Sequence, residues 1–445
     1  MTGHAPLVAP VLGLRAAVAL VVGQVIAVGI FLTPGTIIAT VASPLGVLLV
    51  WLVLGGMAMS GAVCYGALAA RYPQAGGGYV YLREVYGPRV AFAYGWKCLL
   101  VMDPGITAAL ATGLASYVAY LVPMGSLAMR GVAVTAIAAM AALHVSGVRI
   151  GARVLTTVSG LKVLLVLLLT IGAFASPSAS LSHFVPVASR HPGAPPLAAA
   201  LAGAFVAAFF SFGGWWEVPR IAGELRDPRR TLPRALWIGL AIVTLTYAAA
   251  TLSFIAVVPI AAVVPGQAFV AQVGDALVGP RGGAVVAGVV IVCVLGSLCA
   301  MQMVAPRLYV AMAADGLFPA AAAAIHPRFG TPARAIVLQA VLASVLVALG
   351  SFDSIVAYFV CVTVVFVAAT VASTVVLHHR DAGFRVPGHP WPAVVFLLLV
   401  AVLLVLLVVG SPRQSLLGVV VVAGALPAYR MIHARRPAPV LEDLA

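Results

Sequence analysis

The sequence predicts an all-α polytopic membrane protein of about twelve transmembrane helices, the first and sixth discontinuous. Three observations carry that expectation. Of 445 residues, 63% are hydrophobic and 8% charged, whereas a water-soluble domain carries about 25% charge. Apolar runs of about 20 residues or more recur along the chain, the length that crosses a bilayer core, and the short alternating segments of a membrane barrel are missing. Two of these runs, the first and the sixth, are each interrupted by glycine at about the same depth.

Taken in order, the spans are read at 14–41, 44–70, 89–121, 130–148 and 150–176. After a Ser/Pro-rich loop at 177–195 the next five fall at 196–223, 234–258, 281–312, 333–350 and 352–377, and two more at 391–410 and 414–432. An even number of spans puts both ends on one side. Eighteen arginines lie in loops on that side, against Arg130, Arg190, Arg281 and Arg413 on the other. By the positive-inside rule both termini are expected to face the cytoplasm.

Composition excludes several classes. The formal charge of +14 is spread over loops instead of a compact basic domain, so no nucleic-acid partner is expected. The five cysteines (Cys64, Cys98, Cys293, Cys299, Cys361) lie in apolar runs without a CxxC pair, which argues against structural disulfides and zinc. There is no HExxH, and with two lysines in the chain there is no phosphate-binding GxxxxGK[ST] loop. Neither a metal nor a cofactor is expected. The residues before Arg15 lack a signal-peptide cleavage pattern, so the first run is expected to stay in the protein.

The first interruption lies in VGQVIAVGIFLTPG, Val22 to Gly35. Glycine and proline release backbone groups there, and unpaired groups in hydrocarbon cost several kcal/mol unless the break is buried or lines a cavity. Ser211-Phe212-Gly213-Gly214-Trp215 interrupts the sixth span. An offset of five spans inverts the second unit relative to the first, the pattern of an inverted-repeat transporter made of 14–176 and 196–377, with 391–432 added. Paired glycines also permit close helix packing, so a single break leaves the alternative open. Half-helices ending at a break present carbonyls, and those starting there present amides with positive dipole character. One cavity between two such breaks suits a zwitterion: carboxylate on the amides after the first break, ammonium on the carbonyls of both. The small Gly29, Gly213 and Gly214 would admit it to the main chain.

These residues resemble the amino acid–polyamine–organocation superfamily, closest to its L-type amino-acid transporter branch. Ile26-Ala27-Val28-Gly29-Ile30-Phe31 is similar to the family's IGSGIF. ARYPQAGGGYVYLREVYGPRVAFAYGW resembles its P-x-x-G-G-x-Y-x-Y-L segment, and Phe210 to Glu224 its FAYGGW run. LRDPRRTLPRA, the eighth-span ending RLYVAMAADGLFP and Arg385-Val386-Pro387-Gly388 follow in family order. The resemblance implies a LeuT-like fold with a 5+5 inverted repeat. It implies substrate carboxylate at the amides of Ala27 to Gly29 and Ile30, and ammonium at the carbonyls of Ile26, Phe210, Ser211 and Gly213. Phe210 would close over the substrate, and Trp215 after Gly214 would shape its side-chain pocket. The family's GSG is Ala27-Val28-Gly29 here, and Trp216 and Glu217 also depart from its pattern.

Lys162 stands about 18 Å from either end of span five. It aligns with a family lysine whose ammonium replaces sodium between spans one and eight, which implies sodium independence. The alternatives for it are a proton carrier and a static tie from the first break to span eight. Asp103 is expected to bond a neighbouring helix, with a proton relay as the alternative. Glu217, Arg220 and Glu224 share a helical face and read as an ion-pair ladder; contact of Glu217 with a cationic substrate stays open. Tyr79, Tyr81 and Arg83 are expected on a cytoplasmic gate helix.

The expected function is a secondary amino-acid transporter, an integral membrane protein and not an enzyme. Neutral apolar substrates are favoured by the aliphatic and aromatic pocket residues. Cationic amino acids or polyamines are the alternative, and a non-transporting scaffold or receptor the alternative class. Partners are the amino acid, the bilayer and, as an open case, protons. With no cysteine in the long outer loop, no disulfide-linked partner is expected.

Overall fold

The computed structural model describes residues 13–433 apart from 27–28, 74–75, 148–151, 264–267, 319–320 and 322–323. Side chains are described for these residues except 152–156, 220–224, 304, 307, 311, 314 and 433. Among the described residues, eleven helices are long and apolar enough to cross a membrane, and Ala333–Leu349 adds a shorter apolar helix of 17 residues in ninth position. The expected spans are therefore all present as helices.

Local chemistry places their ends. Ser43 accepts from the Gly46 amide at 3.3 Å with Pro44 in the first turn, opening span two, Pro44–Arg71. Asp227 and Pro228 do the same for span seven, Pro228–Val257. A reciprocal Ser351–Ser354 capping box opens span ten, Phe352–Arg380. Such caps satisfy amides that would otherwise lack partners.

Three features were not expected from the sequence. Span three is Pro88–Lys97, a π-helical turn at Cys98–Met102, then Asp103–Leu121. Pro104 at the start of the last segment supplies no amide, and the wider turn absorbs the lost register. A short helix, Phe269–Val278, follows span seven. Past its break, span six continues as a 3-10 helix, Trp215–Glu224, with Pro219 inside it, where an unbroken α ladder cannot form.

Loop contacts separate two faces. On one, Arg71 pairs with Asp381 at 3.0 Å, and Arg380 donates to the Val85 carbonyl. On the other, Arg190 donates to the Thr40 and Val41 carbonyls, and the Ser180 amide to the Ala256 carbonyl. The first is the face of the chain ends in the alternating count of spans, called the terminal face below. Leu168, Leu398 and Val405 on spans five and eleven are exposed, a surface suited to lipid and not to water. Span seven packs on span two where Gly55 meets Thr244 and on span one where Gly239 meets Val21. Missing side chains let these backbones approach closely.

Candidate functional site

The first half of span one, Leu14–Val25, ends at Ile26, whose amide bonds the Val22 carbonyl and whose ψ of 61° leaves helical geometry. Ala27 and Val28 lie outside the described residues. Helix resumes at Gly29–Leu32 and, after Thr33, at Pro34–Val41. The first amides of a resumed helix have no acceptor within it.

The first half of span six, Leu197–Ser211, ends in a turn where the Gly213 amide bonds the Phe210 carbonyl at 2.9 Å. Gly214 follows at φ +104°, a conformation that any L side chain would strain.

The two breaks touch each other. Thr33 Oγ1 and Ser211 Oγ are 2.6 Å apart, and Thr33 Oγ1 also donates to the Gly29 carbonyl at 3.0 Å. A Cβ at Gly29 would stand 2.8 Å from Ser211 Cβ and Oγ, and closer still to its backbone. Reciprocally, a Cβ at Gly214 would meet Gln24 at 3.2 Å. In this conformation the space freed by Gly29 and Gly214 is taken by the opposing break. The glycines serve mutual approach here.

A residue the sequence reading passed over joins both breaks. Tyr247 of span seven is fully buried, and its hydroxyl faces the Val25 carbonyl at 2.8 Å and the Ser211 carbonyl at 3.1 Å. Tyr117 of span three donates likewise to the Phe31 carbonyl at 2.5 Å. A mid-span phenol needs a partner when buried, which is the sequence signal for both tyrosines. Which carbonyl it reaches is decided by packing.

Phe210 is half-buried, edge-on to Phe352 and Phe359 of span ten at 5.8 and 5.7 Å. These three rings form an aromatic cluster beside the Ser211 turn. Ile26 and Ile30 are buried. Trp215, expected to shape a side-chain pocket, is 1% exposed, with its ring against Tyr65 at 5.0 Å, Trp216 and Phe396. That packing lies between spans two and eleven.

Two of the buried charges, Lys162 and Asp103, find partners on span eight. Lys162 Nζ donates to Ser297 Oγ at 2.6 Å. Tyr309 donates to Asp103, so Asp103 does bond a neighbouring helix. Lys97, fully buried, lies over the Tyr94 ring at 4.6 Å and 2.9 Å from Met102 Sδ. Both carboxylate oxygens of Glu217 are buried. The rest of the expected ladder, Arg220 and Glu224, lies outside the described side chains.

Polar contacts of the expected gate helix sit on the terminal face. The helix Gly78–Tyr86 carries Tyr79 and Arg83, which reach Asp315 after span eight at 2.7 and 3.0 Å. Burial, and then the Asp315 carboxylate, push the Tyr79 phenol above its ordinary range, which keeps it a donor. Asp315→Asn weakens both contacts and favours opening of this face. A single cysteine at Ser211, in a cysteine-free background, should then react about threefold faster with an impermeant thiol reagent applied from that side. An unchanged rate would mean these contacts do not gate. Among the described residues, no group of three His, Cys, Asp or Glu side chains is arranged to hold a metal.

Comparison with known proteins identifies the family. Residues 12–426 match the family model described as "Amino acid permease". The chain is 26% identical over 431 residues to the human b(0,+)-type amino acid transporter 1, covering 95% of this chain and 88% of that one. It is 26% identical over 388 residues to the serine/threonine exchanger SteT of Bacillus subtilis (strain 168), covering 85% and 87%. Identity to the human large neutral amino acids transporter small subunit 2 is also 26%, over 94% of this chain and 79% of the relative. Two interrupted spans meeting at mid-depth, in a chain matched almost end to end, have one reading: the protein belongs to the amino acid permease family.

Proposed function

We propose that this permease exchanges neutral amino acids across the cytoplasmic membrane without sodium, by alternating access around the two breaks. The observation that supports it most is the crossed contact of the breaks through Thr33 and Ser211, with Tyr247 holding a carbonyl of each. When the breaks part, the amides around Gly29 and Ile30, with those of Ala27 and Val28, meet the substrate carboxylate. The carbonyls of Ile26, Phe210, Ser211 and Gly213 meet its ammonium. A carbonyl has two lone pairs, so Ser211 can serve both Tyr247 and substrate. Phe210, backed by Phe352 and Phe359, offers an apolar surface to the side chain. Gly214 keeps the turn open, and Trp215 anchors it to spans two and eleven.

In this reading 14–176 and 196–377 are the inverted repeats, and the arginine-rich terminal face is cytoplasmic. The five cysteines are all buried, which supports a carrier with no disulfide-linked partner. The decisive measurement is uptake of a labelled amino-acid panel into proteoliposomes, with and without internal substrate, in sodium and in choline. Neutral amino acids should enter faster when internal substrate is present, at equal rates in the two salts. Preferential uptake of arginine or a polyamine would move the assignment to Glu217 and a cationic substrate, and no uptake at all would leave a scaffold or receptor.

Lys162 is the proposed coupling charge, with Ser297 its partner on span eight. Lys162→Ala should remove the dependence of uptake on a proton gradient and leave exchange intact. A variant with unchanged pH dependence would reduce Lys162 to a structural tie.

A further inference from the structure

A cavity of about 270 Å³ lies near the terminal-face ends of spans three, eight, nine and twelve, apart from the two breaks. Phe92 and Trp96 of span three, Tyr309 of span eight, Phe318 beyond it and Leu338 of span nine line it, with Arg334 the sole charged residue among the described lining. Polar tips turn out of it. The Trp96 indole donates to the Val421 carbonyl at 2.8 Å, and the Tyr309 hydroxyl to Asp103. Its wall is largely aromatic: Phe92 stacks with Trp96, and Tyr309 with Phe318.

Its mouth opens toward the bilayer, since Leu338, Val337 and Val341 on span nine are exposed apolar residues. An occupant therefore comes from the membrane. Arg334 is the second residue of the helix Ala333–Leu349 and is exposed at the terminal-face end of span nine. Among the described residues no carboxylate is paired with it. The same helix start follows Pro332 and has no side-chain cap; the Ala333 amide is taken by the Thr331 carbonyl at 2.8 Å, and the helix dipole favours an anion beside the guanidinium. A purely apolar cavity would take any acyl chain; a cation and an uncapped helix start at its mouth select the headgroup.

We propose that this cavity binds an anionic glycerophospholipid, its phosphate on Arg334 and the start of span nine, its acyl chain along Phe92, Trp96 and Tyr309. The bound lipid packs on the ring whose hydroxyl ties span eight to Asp103 of span three. The site does not depend on which amino acid is carried.

Purified protein in mild detergent is titrated with phosphatidylglycerol or phosphatidylcholine of identical chains, and retained lipid is counted by native mass spectrometry. The wild type should retain phosphatidylglycerol about fivefold better, the preference one arginine supplies. Arg334→Gln should erase that preference while retaining both lipids weakly, and Arg334→Lys should recover part of it. In liposomes, acyl-brominated phosphatidylglycerol should quench tryptophan fluorescence more than its phosphatidylcholine counterpart, and Trp96→Phe should lose that difference. Equal retention of the two lipids by the wild type overturns the proposal. So does an anionic preference that survives Arg334→Gln, or displacement of phosphatidylglycerol by a free fatty acid at equal concentration.

Discussion

Gly29→Ala lowers amino-acid exchange at least about fivefold while the protein still folds and inserts. The reason is contact geometry. The added methyl would stand 2.8 Å from Ser211 Cβ and Oγ and meet the Ser211 backbone, so a break must shift. Forcing a methyl into packed helices costs about 1–3 kcal/mol, a factor of roughly 5 to 150 in the population of this conformation. Initial rates of counterflow in proteoliposomes, set beside the thermal midpoint in detergent, separate transport loss from unfolding. Because Ser211 carries the other half of the contact, Ser211→Gly should recover part of the loss in the double variant. Wild-type exchange by Gly29→Ala would mean that the breaks do not need to meet during transport.

Tyr247→Phe carries the second large effect. The ring is retained, and with it the packing on Trp51 at 5.1 Å and Phe212 at 5.5 Å. What disappears is one hydroxyl that serves two carbonyls, Val25 at the end of one half-helix and Ser211 at the end of the other. A buried acceptor left without a donor costs about 1–3 kcal/mol. The variant should exchange roughly tenfold more slowly, with a smaller loss of stability than in Tyr247→Ala. Exchange at the wild-type rate would make Tyr247 a packing residue only.

Much of the fold was legible because lipid is an unforgiving solvent. A span must be apolar for its whole length, so its existence and approximate ends can be read from hydropathy. The breaks were legible for the converse reason, since glycine and proline at mid-depth need a compensating environment. Proline also marked span three, but the π turn before Asp103 depends on how Pro104 is accommodated, and composition does not specify that. The 3-10 winding after Trp215 is similar: Pro219 announced irregularity and left its form open.

The site divides along the same line. Ile26, Gly29, Phe210, Ser211, Gly213 and Gly214 were read from their motifs as site residues, and of these Gly214, at φ +104°, is the one whose backbone itself restricts residue type. Ala27 and Val28 belong to the same motif and lie outside the described residues. Tyr247, Tyr117, Thr33, Phe352 and Phe359 could not be chosen, because a phenol, hydroxyl or ring in an apolar span is ordinary until its neighbour is known. Trp215 was read from its motif as a pocket wall; the motif did not specify that its ring would pack on Tyr65, Trp216 and Phe396.

By itself, then, the sequence determined the solvent, the spans, the family and the two places where helix must stop. Each follows from local chemistry: apolar length, missing amides and residues without side chains. Only the tertiary structure decided that the two stops lie against each other, that Thr33 meets Ser211 across them, and that a tyrosine from a third span holds both ends. Those are contacts between residues far apart in the chain. Their partners are chosen by the packing of whole helices, to which no single stretch of sequence is privy.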